Sequence, residues 1–342
     1  MTTAVADADP LTQPSGAGQP SPTARSSATT QRAVAFVAAH KPVAEALGAS
    51  LADHIGDPDA FAAALRRGLE GLADPDYLAG QQHVAPGIGL IHGVRWPLLA
   101  AVGRGFRRET RQDRATPLLF IADRLFREPH LESRWLAFGL LERTLPTEAE
   151  RTWQLLRRAA REAGDWITID SLARPYAIGI DAEPYRWAEL EQLVYSPSRW
   201  ERRLIGSTIA TMTHGNRRNG RGPDLVARSL ALLDELMGDA EPDVQKALAW
   251  AYRSLVSLDP EATTAALQDQ TIRAVDHDDG HRAWVIRDSL AKLAPADADA
   301  LRQRVAGIRK RSGAPSTSAA ATTAARFGDL PDPAHHPEPP LT

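Results

Sequence analysis

Apolar residues recur at three- and four-residue steps along most of the chain. Phe61, Leu65, Leu69 and Leu72 form one such series; Leu118, Ile121, Leu125 and Phe126 form another, and Leu230, Leu233, Leu236 and Met237 a third. That period belongs to helices with one buried face. Strand-like alternation is nearly absent. Helix-start punctuation recurs at Asp57-Pro58, Asp74-Pro75, Thr144 to Pro146, Ser196-Pro197, Gly222-Pro223, Glu241-Pro242 and Asp259-Pro260, where a cap residue or a proline suits the first turn. The pattern predicts about a dozen helices joined by short turns, which favour antiparallel neighbours. A chain of such pairs is an all-α fold, an α-solenoid of irregular HEAT-like antiparallel helix pairs, because the signatures of tetratricopeptide and ankyrin arrays are missing. A compact helical bundle is the alternative.

The periodicity fades at both ends. Residues 1–35 and 312–342 are rich in Ala, Ser, Thr, Pro and Gly, a composition that buries too little apolar surface to offset ordering entropy. They are expected to be disordered tails around one folded unit at 36–311. The N-terminus has neither the basic nor the apolar region of a signal peptide. The most apolar stretch, from Val84 to Gly103, is interrupted by Pro86, His92, Arg95 and Pro97, so no membrane span is expected. With no cysteine among 342 residues, disulfides, thiol nucleophiles and Cys-based metal sites are excluded, and a cytoplasmic location is expected. The histidines and carboxylates show no metal-ligand spacing, and Asp276 to Asp279 with His281 reads as a capped turn.

Charge narrows the picture further. The net charge is −3, so the chain as a whole exerts no pull on polyanions. Of 40 basic residues, however, only Lys41, Lys246, Lys292 and Lys310 are lysine, which leaves 36 arginines, the side chain with a bidentate fork for phosphate. Six of these fall between Arg199 and Arg221 with Glu201 as the one acid. Arg202 and Arg203 follow a tryptophan there that Arg199 precedes, and Arg217, Arg218 and Arg221 sit in a Gly/Asn-rich loop. Such local density suits phosphate contacts, although a solvated loop is the ordinary alternative.

Two further segments carry chemistry. Trp166, Asp170 and Arg174 lie at four-residue steps on one helical face, so an aromatic, a carboxylate and a guanidinium share it. On these residues alone a buried Trp166 beside an exposed Asp170–Arg174 ion pair explains the spacing at least as well as a site does. Lys246 and Trp250 likewise share a face, with Arg253 close by.

Taken in order, these segments resemble the DNA alkylation repair family, the AlkD-like HEAT-repeat DNA glycosylases. Gly93-Val94-Arg95-Trp96-Pro97 is similar to its Gly-Val/Ile-x-x-Pro. Glu128 to Leu141 is similar to its acidic-His, Leu-rich helix. Trp166-x-x-x-Asp170, Trp200-Glu201-Arg202-Arg203 and Lys246-Ala247-Leu248-Ala249-Trp250 resemble three later motifs, and the likeness spans roughly 60–295. The sequence departs from the pattern after Pro97, where Leu98 replaces the usual basic residue, and at Ala249, where relatives carry glycine.

The resemblance implies hydrolysis of the N-glycosidic bond of N3- or N7-alkylated purines in duplex DNA. Asp170 would act within a cage of Trp166 and Trp250, and Arg203 would hold the phosphate backbone with Arg202 as fallback. Arg217, Arg218, Arg221, Lys246 and Arg253 are the other candidate DNA contacts. No metal or cofactor is implied, and a monomer acting on double-stranded DNA is expected. The chemistry suits the residues: a cationic purine leaves readily, a carboxylate can oppose the charge growing on the sugar, and indole faces attract cations. A non-catalytic DNA-binding solenoid is the runner-up and a protein-interaction scaffold a third reading.

Overall fold

Proline and its preceding cap residue fix several element boundaries. The computed structural model describes residues 28–84, 89–216 and 222–327. The chain runs α1 (Ala28–Ser50), α2 (Pro58–Glu70), α3 (Pro75–Val84), α4 (Trp96–Glu109), α5 (Ala115–Phe126), α6 (Leu131–Thr144), α7 (Ala149–Glu162), α8 (Trp166–Ala182), α9 (Trp187–Leu193) and α10 (Arg199–Asn216). It continues through α11 (Gly222–Leu236), α12 (Pro242–Leu255), α13 (Pro260–Asp276), α14 (Gly280–Ser289), α15 (Pro295–Arg304) and α16 (Ala319–Ala324). At Asp57 the carboxylate accepts the N–H groups of Asp59 (3.1 Å) and Ala60 (3.0 Å) just as Pro58 opens α2. Asp259 caps α13 in the same way, accepting from Ala262 N at 2.9 Å ahead of Pro260. Each cap satisfies an N–H that the helix itself leaves without a partner.

The helices stack as an α-solenoid. From α4 onward the even-numbered helices α6, α8, α10, α12 and α14 pack against one another in sequence, while α5, α7, α11 and α13 form the second layer. One hydrophobic cluster runs through both, from Ala44 on α1 to Ala320 on α16. No strand forms among the described residues, where Leu90 and His130 make a lone bridge. The closest helix contact that shapes the site is between α10 and α12. A Cβ at Gly206 would lie 2.7 Å from the Ala247 carbonyl carbon, so only glycine permits this approach.

Among the described residues sixteen helices replace the dozen expected, and part of the surplus comes from segments assigned to the tails. Residues 28–35 form the first turns of α1, continued into solvent from the part of α1 that packs on α4. Residues 312–327 also fold back: Thr317 N donates to Gly238 O (2.9 Å), Ser318 caps α16 through Ala321 N (3.1 Å), and Ala320 is buried. Specific hydrogen bonds and one buried methyl compensate for a composition poor in apolar surface. Residues 1–27 and 328–342 lie outside the described residues, as do Arg217, Arg218 and Arg221.

Candidate functional site

The site is built where α8, α10 and α12 adjoin. The cap of α8 sets its first turn: Asp165 accepts from Thr168 N and from Thr168 Oγ1, each at 2.7 Å, and Arg134 on α6 approaches the same carboxylate at 3.6 Å. Trp166 and Asp170 follow on one face. Trp166 is 39% exposed, so it is not the buried tryptophan of the purely structural reading.

Asp170 does not pair with Arg174. Its carboxylate receives a two-pronged contact from Arg203 on α10, Nε to Oδ1 at 3.0 Å and Nη2 to Oδ2 at 2.7 Å, and Ser207 Oγ donates to Oδ1 at 2.6 Å. Arg203 and Ser207 are four residues apart, hence on one face of α10. The third arm of the guanidinium, Nη1, donates to the Asp243 carbonyl in the first turn of α12 at 2.7 Å. The Arg203 guanidinium carbon also lies 5.8 Å from the Trp166 ring centroid. Two side chains of α10, braced by a backbone carbonyl of α12, thus hold one carboxylate of α8. Arg174 turns instead to Glu142 on α6, at 3.0 and 3.1 Å, while the carboxylate of the neighbouring turn, Asp170, is engaged by Arg203 and Ser207.

These contacts revise the expected role of Arg203. It is only 5% exposed and spends its donors on Asp170 and Asp243, so in this state it positions the carboxylate rather than standing free for phosphate. Arg202, one residue and about 100° round the helix, points away. Its Nε donates to Asp239 at 2.7 Å and its Nη1 to the carbonyls of Ser196 (2.8 Å) and Pro197 (2.9 Å), tying down the turn before α10. Arg253 is likewise engaged, with Asp288 at 2.8 Å. Lys246 is exposed on α12, and Trp250, half-buried one turn later, belongs to the helix that receives Arg203.

The two earlier motifs are scaffolding for this face. Glu132, buried at the start of α6, accepts the N–H groups of His92 (3.1 Å), Gly93 (2.9 Å) and Val94 (3.2 Å), clamping the segment before α4. Gly93 has φ 83°, and a Cβ there would meet Leu78 Cβ at 2.7 Å. Arg95 Nε donates to Asp74 at 2.6 Å. Burial alone would raise the Asp74 carboxyl, but Arg95 and the N–H groups of Tyr77 and Asp76 hold it below the usual range. The clamp brings Trp96 edge-on to Trp135, with centroids 5.9 Å apart, and Trp135 Nε1 donates to Ser171 Oγ at 2.8 Å, beside Asp170. Ser207 and Trp135 were not legible as site residues, since a mid-helix serine and a lone tryptophan carry no spacing signal. The one available clue was the i,i+4 relation of Ser207 to Arg203.

No group of three or more metal-ligating side chains forms among the described residues, and no described helix is long and apolar enough to cross a membrane. Asp279 caps α14 through Arg282 N at 3.0 Å, as the capped-turn reading of that acidic segment expected. Compared with known families, residues 65–293 match a family described as DNA alkylation repair enzyme. No curated protein matches the chain.

Proposed function

The chain belongs to the DNA alkylation repair enzyme family, and from that premise we propose that it is a monofunctional glycosylase. Its substrate is duplex DNA carrying cationic N3- or N7-alkylated purines, and it hydrolyses the N-glycosidic bond. The observation that carries this reading is the Asp170 carboxylate, fixed by Arg203 and Ser207 beside the exposed Trp166 indole. Asp170 is 18% exposed at its side chain, so it is reachable from solvent while its rotamer is locked.

A carboxylate offers about four acceptor positions, and Arg203 and Ser207 together occupy three. One direction remains for a water or for the deoxyribose. As the bond to the cationic purine breaks, positive charge moves onto the sugar, and a preoriented carboxylate opposes it without reorganising. The electron pair of the broken bond stays with the purine, which leaves neutral, and the water that adds at C1′ gives up one proton to the Asp170 carboxylate and from there to solvent. Trp166 offers a π face to the cationic base, worth roughly 0.5–2 kcal/mol over a neutral one. Trp250 would complete the aromatic lining.

Full-length protein incubated with duplex DNA containing N7-methylguanine or N3-methyladenine should release the free base, and Asp170→Asn should not. DNA binding with no release from either lesion would leave a non-catalytic DNA-binding solenoid as the better reading.

A further inference from the structure

Most arginines in this chain are spent on carboxylates, often across helices, as in Arg66–Glu128 (3.1 Å), Arg157–Glu189 (3.0 Å) and Arg202–Asp239 (2.7 Å). One cluster is not. Lys246 on α12, Arg287 on α14, and Arg309 and Lys310 on the segment that follows α15 have no carboxylate oxygen within 4.0 Å among the described residues. Acids around the cluster are engaged elsewhere: Asp243 lies 3.9 Å from Arg203 and 4.0 Å from Arg199, Asp288 is taken by Arg253 at 2.8 Å, Asp279 by Arg282 at 3.2 Å, and Asp278 by Arg311.

The cluster is held in place by neutral groups. Arg287 Nη1 donates to the carbonyls of Val305 (2.9 Å) and Ile308 (3.1 Å). Lys310 Nζ donates to Gln245 Oε1 and stands over the Trp284 ring, 4.4 Å from its centroid. A Cβ at Gly280 would collide with the Arg309 carbonyl, so the strand of chain at 309–310 lies directly on the start of α14. His281 Nε2 meets the Ala314 carbonyl at 3.1 Å, and Thr317 anchors to Gly238 and Asp279. Burial and then the charges of Arg287 and Lys246 push the Lys310 ammonium below the usual lysine range. Like charges gathered without counter-charge repel, and a solvated lysine would swing away from them; here the chain pins it among them.

Position along the solenoid indicates the ligand. Lys246 lies one turn before Trp250, on the helix whose Asp243 carbonyl receives Arg203, so the cluster continues the site face from α12 across α14. Residues 305–318 lie beyond the family match, which ends at 293. We propose that this C-terminal strap extends the DNA-binding face, with Arg309 and Lys310 joining Lys246 to hold the phosphate backbone of duplex DNA beyond the lesion. The inference rests on the reading of the Asp170 face as the DNA face.

The test measures binding of the full chain to an undamaged duplex oligonucleotide across a potassium chloride series, for wild type, Arg309→Gln/Lys310→Gln and Lys310→Arg. Each lost phosphate contact should lower the slope of log K against log salt by about 0.9, so the double variant should lose up to two such steps while Lys310→Arg keeps the wild-type slope. Thermal melts check that the strap remains seated. An unaltered slope in a folded double variant overturns the proposal, as does a loss confined to duplex RNA or to an acidic protein probe. If no lesion is ever released but the slope falls as expected, the glycosylase reading fails and the strap assignment stands.

Discussion

Substituting Asp170 should weaken the fold as well as the chemistry, and the two effects can be separated. The Arg203 side chain is 6% exposed and that of Asp170 18%, so Asp170→Asn leaves a buried guanidinium facing an amide whose NH2 it cannot use. Removing one partner of a buried pair costs about 3–5 kcal/mol. Asn retains one acceptor oxygen, the Asp243 carbonyl still receives Nη1, and the site is partly open, so about 2–3 kcal/mol is the reasoned figure. At roughly 2–4 °C per kcal/mol for a domain of this scale, the melting temperature should fall by about 4–12 °C. Arg203→Met should also destabilise, by leaving Asp170 with Ser207 alone. The double variant has no uncompensated charge, so its loss should be smaller than the sum by about 1–3 kcal/mol. Base release from N7-methylguanine duplex, measured at a temperature where all variants are folded, should drop by about 100-fold or more whenever Asp170 is absent. Arg203→Met should retain partial activity, because the carboxylate is present but no longer fixed. Strictly additive melting shifts would refute the ion pair, and normal base release by folded Asp170→Asn would refute the catalytic assignment.

Three further outcomes follow from the geometry. Arg202→Ala should lower the melting temperature yet leave the salt slope of DNA binding unchanged, since its donors serve Asp239, Ser196 and Pro197; a slope reduced by about one unit would return it to the phosphate contacts. His92 stacks on His130 with centroids 3.9 Å apart, and burial followed by the neighbouring His130 pulls its pKa down, against the opposing pull of Glu132 and Glu70, with Arg66 adding to the depression. The unfolded chain then takes up a proton near the ordinary histidine value of about 6.5 that the folded chain refuses, so its contribution is full above that pH and shrinks as pH falls below it. Melts at pH 7.5 and 5.5 should show a smaller acid-induced drop in His92→Phe than in wild type, and equal drops would sink the argument. Borohydride treatment during base release should trap no protein–DNA adduct, and the abasic strand should stay intact until alkali is added, since Schiff-base chemistry needs an amine at C1′; an adduct abolished by Lys246→Ala would overturn the monofunctional reading.

The helical layers were legible because they are local. Asp-Pro and Glu-Pro steps at 57–58, 74–75, 241–242 and 259–260 mark helix starts within a residue, and caps act over three or four positions. Trp166 and Asp170 were legible for the same reason, being one helical turn apart. What decides their use is not local. Asp170 meets Arg203 across 33 residues, and Arg174 meets Glu142 across 32, separations set by the stacking of helix pairs and invisible to a helical wheel. Arg202 and Arg203 are indistinguishable by type and neighbourhood in the sequence; 100° of helical rotation sends one to the turn before α10 and the other into the site. The ordered part of the C-terminal segment escaped notice because composition averages over it, whereas Thr317 and Ser318 act through individual hydrogen bonds.

The arginine excess therefore has a different meaning from the one its abundance suggests. A chain of net charge −3 with 36 arginines and 43 acids has enough carboxylate to neutralise nearly every guanidinium, and in the structure it largely does so, as cross-helix fasteners between successive pairs. Such pairs contribute register more than stability, since exposed ones are worth little and buried ones trade solvation for contact. Affinity for a polyanion then depends on which cations the scaffold leaves uncompensated, not on how many it has. On the described part of the chain, one group left without a carboxylate partner is Lys246, Arg287, Arg309 and Lys310, on and beside the helix that carries Trp250. Arg203, the most conspicuous basic residue of the motif, is withheld from that task by Asp170. If these cations hold backbone phosphates as proposed, they lie to one flank of the carboxylate, and a duplex held there would be aligned past Trp166 and Asp170.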